Sequence, residues 1–326
     1  MTTGGGAPPL SGLVRDLALA LRDRVLPLLG SHAARAHEAE LAEGGDVTFA
    51  IDAEAEELLA SFLAERAPQV AFYSEDRGLV LPGGGEADTV LVVDPIDGTR
   101  PALAGFESCC VSVAAAPLRE GVTMGEVNVG CVVEIPSGTV FLAERGAGLL
   151  EGPPVRLSRN EDIGRMFWVY GFRGRPLRIY AQLLGPIIEA ASVGGGSFEL
   201  GSATYDMTRV LTGQLDAYIE PGPRVIDEVP ETRSEFERVG GGAVLNNTPY
   251  DLAAATLLLE EGGAIVSDAA GRSLADRPLL GAGVEHQMSV IASSNEGLHA
   301  RLVEEVDAGI ERVAFSLAAA QETESR

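Results

Sequence analysis

The sequence is short of several things that would each point to a function. Cysteine is scarce: Cys109, Cys110 and Cys131 are the only three in 326 residues. The count is odd and two are adjacent, so no disulfide framework is implied, and each reads as a small buried hydrophobe in an apolar segment. Four histidines are scattered, and nothing has zinc-ligand spacing. Aromatic residues make up 5% of the chain, with Trp168 the single tryptophan, which leaves no platform for stacking bases. Basic residues number 24 against 48 acidic ones, a net charge of −24. Such a chain repels nucleic acid and anionic membranes, so neither is expected as a partner. It also repels small phosphorylated metabolites unless bound cations reverse the sign locally. No apolar run is long enough to span a bilayer. Residues 1–9 lack a basic-then-apolar export pattern and read as a disordered leader, so the expected location is the cytoplasm.

What is present centres on Val90-Leu91-Val92-Val93-Asp94-Pro95-Ile96-Asp97-Gly98-Thr99. The apolar, β-branched run predicts a buried strand that ends at Asp94, because Pro95 cannot continue a sheet ladder. The turn then holds two carboxylates three residues apart. Gly98 frees the backbone, and Thr99 can cap or open a helix. Alone, the pattern is also that of an acidic surface turn. A haloacid-dehalogenase-type loop would need its aspartates two apart, without the intervening proline.

Along the chain, Leu13, Leu17, Leu21 and Val25 predict a helix over 10–29. His32 to Glu43 reads as loop or frayed helix end. A short extended piece runs from Gly44 to Asp52, and Asp52 is placed to cap a helix to Arg66. Strands are predicted at 70–73, 108–116, 121–134 and 139–144, with shorter ones at 155–157 and 166–169. A helix over 176–191 is predicted despite Gly185-Pro186. Gly194-Gly195-Gly196 marks the boundary between an N-terminal α+β lobe (10–193) and a C-terminal α/β lobe (194–326). Helix 203–211, strand 216–220, an irregular excursion over 221–249, helix 251–261, two strands and a last helix near 295–315 complete the reading.

Three acidic groups fall at element ends: Glu75-Asp76, Asp94 with Asp97, and Asp251. Each alone is explained by a solvated turn or a helix cap. Together they are the oxygen ligands from several segments that a hard divalent cation requires. At this point the chain resembles the inositol monophosphatase family of Mg²⁺-dependent, often lithium-sensitive phosphatases, over roughly Leu10 to Val313. Asp94-Pro95-Ile96-Asp97-Gly98-Thr99 is its most specific motif. Ser74-Glu75-Asp76 is similar to the family's Gly-Glu-Glu segment, and Asp46 to Asp52 to its Asp-Leu-Val-Thr-x-x-Asp segment. Gly201-Ser202-Ala203 is similar to its substrate loop, Asp216 to Glu220 to its strand ending in Glu, and Tyr250 to Ala254 to its Trp-Asp helix start.

The resemblance implies a layered αβαβα sandwich of the sugar-phosphatase type, in the α+β class, and a homodimer. It implies two or three Mg²⁺ ions, with Mn²⁺ as an alternative, held by Glu75, Asp94, the Ile96 carbonyl, Asp97 and Asp251. Asp52 and Thr99 would orient the attacking water, beside Glu75. The N–H groups of Gly98 and Thr99 would receive the phosphate, and Gly201, Ala203 and Glu220 would face the substrate's alcohol portion. The implied activity is hydrolysis of a small polyol, sugar or nucleoside monophosphate by metal-activated water, without a phosphoenzyme. The alternatives are a bisphosphatase, acting on fructose 1,6-bisphosphate or 3′-phosphoadenosine 5′-phosphate, and a non-catalytic metal-binding scaffold.

Three departures from the family pattern qualify this. Arg100-Pro101-Ala102 follows Thr99, with Arg100 read as a surface ion pair or a phosphate contact. Phe198-Glu199-Leu200 makes the substrate loop acidic and aromatic. Residues 221–249 separate Glu220 from Asp251 and are read as a lid or dimer contact. The absence of a basic cluster near the pocket is read as an argument against a second phosphate.

Overall fold

The computed structural model describes residues 9–41 and 47–324. The expected leader, apart from Pro9, and the Gly44-Gly45-Asp46 stretch lie outside them. Helix α1 (Leu10–Val25) buries one stripe, Leu13, Val14, Leu17, Leu21 and Val25, which is the predicted spacing. Where a loop was expected, β1 (His37–Leu41) pairs antiparallel with β2 (Val47–Phe49). α2 (Ala50–Arg66) follows, starting two residues before Asp52. Then come β3 (Ala71–Ser74), β4 (Gly78–Val80), β5 (Thr89–Asp97), the short α3 (Thr99–Ala104), β6 (Cys110–Pro117), β7 (Val129–Glu134), β8 (Val140–Glu144) and β9 (Gly148–Glu151). They form a seven-stranded sheet in the order β4-β3-β5-β6-β7-β8-β9, in which only β3 and β5 are parallel.

The second half supplies β10 (Phe167–Tyr170), α4 (Leu177–Gly194), β11 (Gly196–Phe198), α5 (Ala203–Thr212), β12 (Ala217–Glu220), α6 (Gly222–Glu228), α7 (Arg233–Val239), α8 (Pro249–Glu261), β13 (Ile265–Ser267), β14 (Val290–Ser293) and α9 (Glu296–Glu324). Its five-stranded sheet runs β11-β10-β12-β14-β13. Three apolar cores give the layering. One lies between α1, α2 and the seven-stranded sheet, and a second holds α5 and α8 between the two sheets. The third packs α4 and α9 on the outer face of the five-stranded sheet. The architecture is the expected αβαβα sandwich.

Several local expectations are corrected. Residues before Val129 do not extend β7: Glu126 Oε2 accepts from Thr123 N at 3.0 Å and closes a 3₁₀ turn over Met124–Glu126. Residues 155–157 form no strand; Arg156 N makes a single bond to Leu211 O. The chain changes sheet between β9 and β10, ahead of the division drawn at 194, because β10 pairs with β11 and β12. The 221–249 excursion is largely ordered: Val225, Ile226, Val229 and Phe236 bury the short helices α6 and α7 into the third core. No helix among the described residues is long and apolar enough to cross a membrane.

Candidate metal centre

The site forms at the end of β5, in the middle of the seven-stranded sheet. Here the strand runs past its predicted end. Asp94 faces Ser112 and Asp97 faces Cys110, so one residue of β5 is unmatched around Pro95. Proline has no N–H for the ladder, and the resulting bulge re-aims the two carboxylates. Asp94 Oδ1 accepts from Ile96 N at 2.9 Å, an Asx-type bond that tightens the bulge. Gly98 then adopts φ 90°, and a Cβ there would lie 2.7 Å from Ser108 O. Only glycine fits. Thr99 opens α3, and its hydroxyl donates to Ile96 O at 3.2 Å.

Asp97 is buried and reaches across to the N-terminus of α5. Its Oδ2 accepts from Ser202 Oγ at 2.8 Å and from Thr204 N at 2.5 Å. Ser202 is also the N-cap of α5, its Oγ accepting from Tyr205 N at 3.1 Å. Asp251 is the third residue of α8, and its Oδ2 accepts from Thr248 N and Thr248 Oγ1 at 2.6 and 2.9 Å. The capping arrangement holds it at the helix start. One carboxylate oxygen from each of Asp94, Asp97 and Asp251 lies within 4.8 Å of the others. At that separation two like charges repel by about 3–4 kcal/mol at an effective dielectric near 20.

The electrostatics follow from this crowding. Burial, then the charges of Glu75, Asp97 and Asp251, hold the Asp94 carboxyl well above its ordinary range. Burial also raises Asp97, against the donors from Thr204 and Ser202. Asp251 is pushed up to about 7 by burial and then by Asp97. Each of these carboxylates has at least one oxygen fixed by donors of the chain, and the three converge from three separate segments. That donor set fits a hard divalent cation, which would displace the protons these raised carboxyls retain.

Glu75 is not one of the three converging carboxylates, but it lines the adjoining cavity and its charge bears on Asp94. Asp52 is the third residue of α2 rather than its cap. Its Oδ2 accepts from Phe49 N at 2.8 Å, and its carboxylate lies near the Thr99 hydroxyl, which donates to Ile96 O. Burial lifts Asp52 to about 7, and those groups only partly oppose the rise. Arg100 lies over the Phe49 ring, 5.2 Å from its centroid.

The cavity beside the centre, about 100 Å³ in volume, is lined by Asp97, Asp251, Glu75, Gly201 and Ala203 among others. Glu220, expected to face the substrate, does not line it. The Glu220 carboxylate is fully buried behind Gly171, where Tyr180 Oη and Gly222 N donate to Oε1 at 2.6 and 2.9 Å. Arg175 Nη2 lies 2.5 Å from Glu220 Oε2, an ion contact without hydrogen-bond alignment. The expected absence of basic residues is likewise corrected, because Arg173 and Arg175 both reach the cavity wall. The end of the 221–249 excursion supplies another wall through Asn246 and Asn247. Loop arginines and asparagines have no periodicity or motif to mark them, so the sequence did not single them out. Glu199, at the acidic edge expected of the substrate loop, does line the cavity, and Phe198 stacks on Phe167 at 6.5 Å.

The family model described as "Inositol monophosphatase family" matches residues 13–311. Among curated relatives, the "Nus factor SuhB" of Vibrio cholerae is 26% identical over 77% of this chain and 79% of its own length. An "Inositol-1-monophosphatase" of Mycobacterium leprae is 31% identical over 56% of this chain and 62% of its own. Among solved structures, the Thermotoga maritima IMPase superposes with a TM-score of 0.64 at 21% identity, covering 93% of this chain and 97% of that one. At that identity the likeness concerns the fold.

Proposed function

The chain belongs to the inositol monophosphatase family, and from that membership we propose that it is a Mg²⁺-dependent phosphomonoesterase acting on a small polyol, sugar or nucleoside monophosphate. The observation that carries this reading is the convergence of Asp94, Asp97 and Asp251 beside a cavity. In the proposal, Asp94, Asp97, Asp251, Glu75 and the Ile96 carbonyl would hold two or three divalent ions, Mg²⁺ or Mn²⁺. Such ions would offset the phosphate's charge and lower the pKa of a bound water. Burial raises Asp52 to about 7, and its carboxylate lies near the Thr99 hydroxyl. Asp52 orients the attacking water and takes its proton. The N–H groups of Gly98 and Thr99 receive phosphate oxygens. Gly201 and Ala203 shape the wall against the alcohol. Attack is in line, the P–O bond to the alcohol breaks, the leaving alkoxide takes a proton from solvent, and no phosphoenzyme forms.

A second reading, a metal-binding regulator without turnover, is favoured by relatives that carry the name Nus factor. For the same reason the exclusion of nucleic acid drawn from net charge is not retained. The deciding experiment is a phosphate-release panel of monoesters with Mg²⁺ and Mn²⁺ titration. Release that is abolished by EDTA and restored by Mg²⁺ is expected. No release from any ester would select the second reading.

A further inference from the structure

Two acids on the cavity wall, Glu199 and Asp206, have no part in the scheme above, and of these Asp206 is the buried one. Asp206 stands one turn into α5, and its side chain is 2% exposed. Its Oδ1 has no hydrogen-bond partner among the described residues. The contrast with its neighbours is sharp, because Asp94, Asp97 and Asp251 each accept at least one bond from the chain. The charged groups facing Asp206 are Asp97 and Glu199, of the same sign, and Arg209. Arg209 is committed elsewhere. It pairs with Glu134, donates to Gln214, and lies 4.3 Å from the centroid of the Tyr205 ring.

The fold gains little from this aspartate: a negative charge in the first turn of α5 and the nearby Arg209 charge are its only local support among the described residues. A buried carboxyl without a partner opposes folding, and aspartate is a poor choice within a helix. Alanine would serve α5 better. A group kept at the expense of stability on the wall of a cavity is matched to something that enters the cavity. An anionic group is a poor match, since it would add a further negative charge beside Asp97 and Glu199. A hydroxyl fits, because it donates to a carboxylate and accepts from a carboxylic acid. Besides Arg173 and Arg175, the wall further round carries uncharged polar groups, with Asn247 Nδ2 donating to Tyr218 Oη at 2.7 Å and Gln287 close by.

We propose that Asp206 is a specificity-determining residue that hydrogen-bonds a hydroxyl of the substrate's alcohol portion. The cavity thereby selects polyhydroxylated phosphate monoesters over esters whose alcohol has no free hydroxyl. This rests on the phosphomonoesterase reading and adds the residue that chooses among monoesters.

The test uses the full chain with Mg²⁺ and two esters: glycerol 2-phosphate, with two free hydroxyls, and phenyl phosphate, with none. Asp206→Ala should lower kcat/KM for glycerol 2-phosphate at least tenfold, mainly through KM. Phenyl phosphate turnover should stay within about twofold. Asp206→Asn keeps a donor and an acceptor and should restore most of the loss. The melting temperature of Asp206→Ala should equal or exceed that of the unmodified protein. An equal change for both esters would overturn the proposal, as would a lowered melting temperature with the preference between esters intact. If the unmodified protein releases phosphate from neither of these nor from any other ester of the panel above, the phosphomonoesterase reading falls and this one with it. If it cleaves both and the preference survives in Asp206→Ala, only the role of Asp206 falls.

Discussion

Ser202 Oγ donates to Asp97 Oδ2 at 2.8 Å, and the two belong to different layers of the sandwich. The same oxygen accepts from Tyr205 N, so one hydroxyl both starts α5 and orients a carboxylate at the end of β5. Ser202→Ala should therefore have two effects. Loss of the cap should cost about 1–2 kcal/mol in urea unfolding. Loss of the donor should raise the Mg²⁺ concentration for half-maximal activity by about 10–100-fold. A purely structural serine would show the first effect without the second.

Asp94→Asn should keep the fold and lose phosphatase activity by about 10³-fold or more, since a cation's contribution is several kcal/mol and each 1.4 kcal/mol is tenfold. In EDTA the variant should melt no lower than the unmodified protein, because it removes a charge that burial and three acids oppose. Turnover close to that of the unmodified protein at saturating Mg²⁺ would remove Asp94 from the proposed ligand set.

Stability should respond to pH in a direction the cluster fixes. Asp52 and Asp251 have folded values near 7, above the ordinary carboxylate range. The folded state thus binds more protons than the unfolded chain, and their contribution falls as pH rises from about 4 through 7. A cation takes the protons' place, so Mg²⁺ should raise the melting temperature more at pH 8 than at pH 5. At a hundredfold excess over its dissociation constant the gain should be about 5 °C. Differential scanning fluorimetry across that range checks it; equal shifts at both pH values would count against binding at Asp251 and the carboxylates beside it.

Glu220→Ala should act on stability before specificity. It leaves the Arg175 guanidinium buried beside an empty place, at a cost of about 3–5 kcal/mol. Urea unfolding measures this directly. A change confined to KM, with unfolding unaltered, would restore Glu220 to the substrate wall.

The three cysteines should be inert in the native state. All are buried, and burial pushes the Cys109 and Cys131 thiols up to about 12. A chromogenic disulfide reagent at pH 8 should label none of them natively and all three in urea. Fast native labelling would contradict the core described here.

What could be read from the sequence was whatever a local pattern encodes. Leu13, Leu17 and Leu21 mark a helical stripe, and Val90 to Val93 mark the buried strand that carries Asp94. The corrections arise where the deciding partner is distant in sequence. Glu220 matches a motif strand by strand, but its fate is set by Arg175, 45 residues earlier. Pro95 promised the end of a strand, yet pairing with β6 carries β5 on through a bulge. The 221–249 stretch has helices of only seven residues each, too short to show a period, and packing of Phe236 and Val225 rather than propensity orders them. Asp206 occupies an unremarkable helical position, and only the missing partner distinguishes it.

Asp52 and Asp251 are each the third residue of a helix, and each accepts the N–H of the residue just before it. A descendant that abandoned catalysis would still need both aspartates to begin α2 and α8. Their survival in a relative therefore says little about whether that relative turns over substrate. Asp94, which no helix end requires, is the position whose loss would mark a lineage that has given up the reaction.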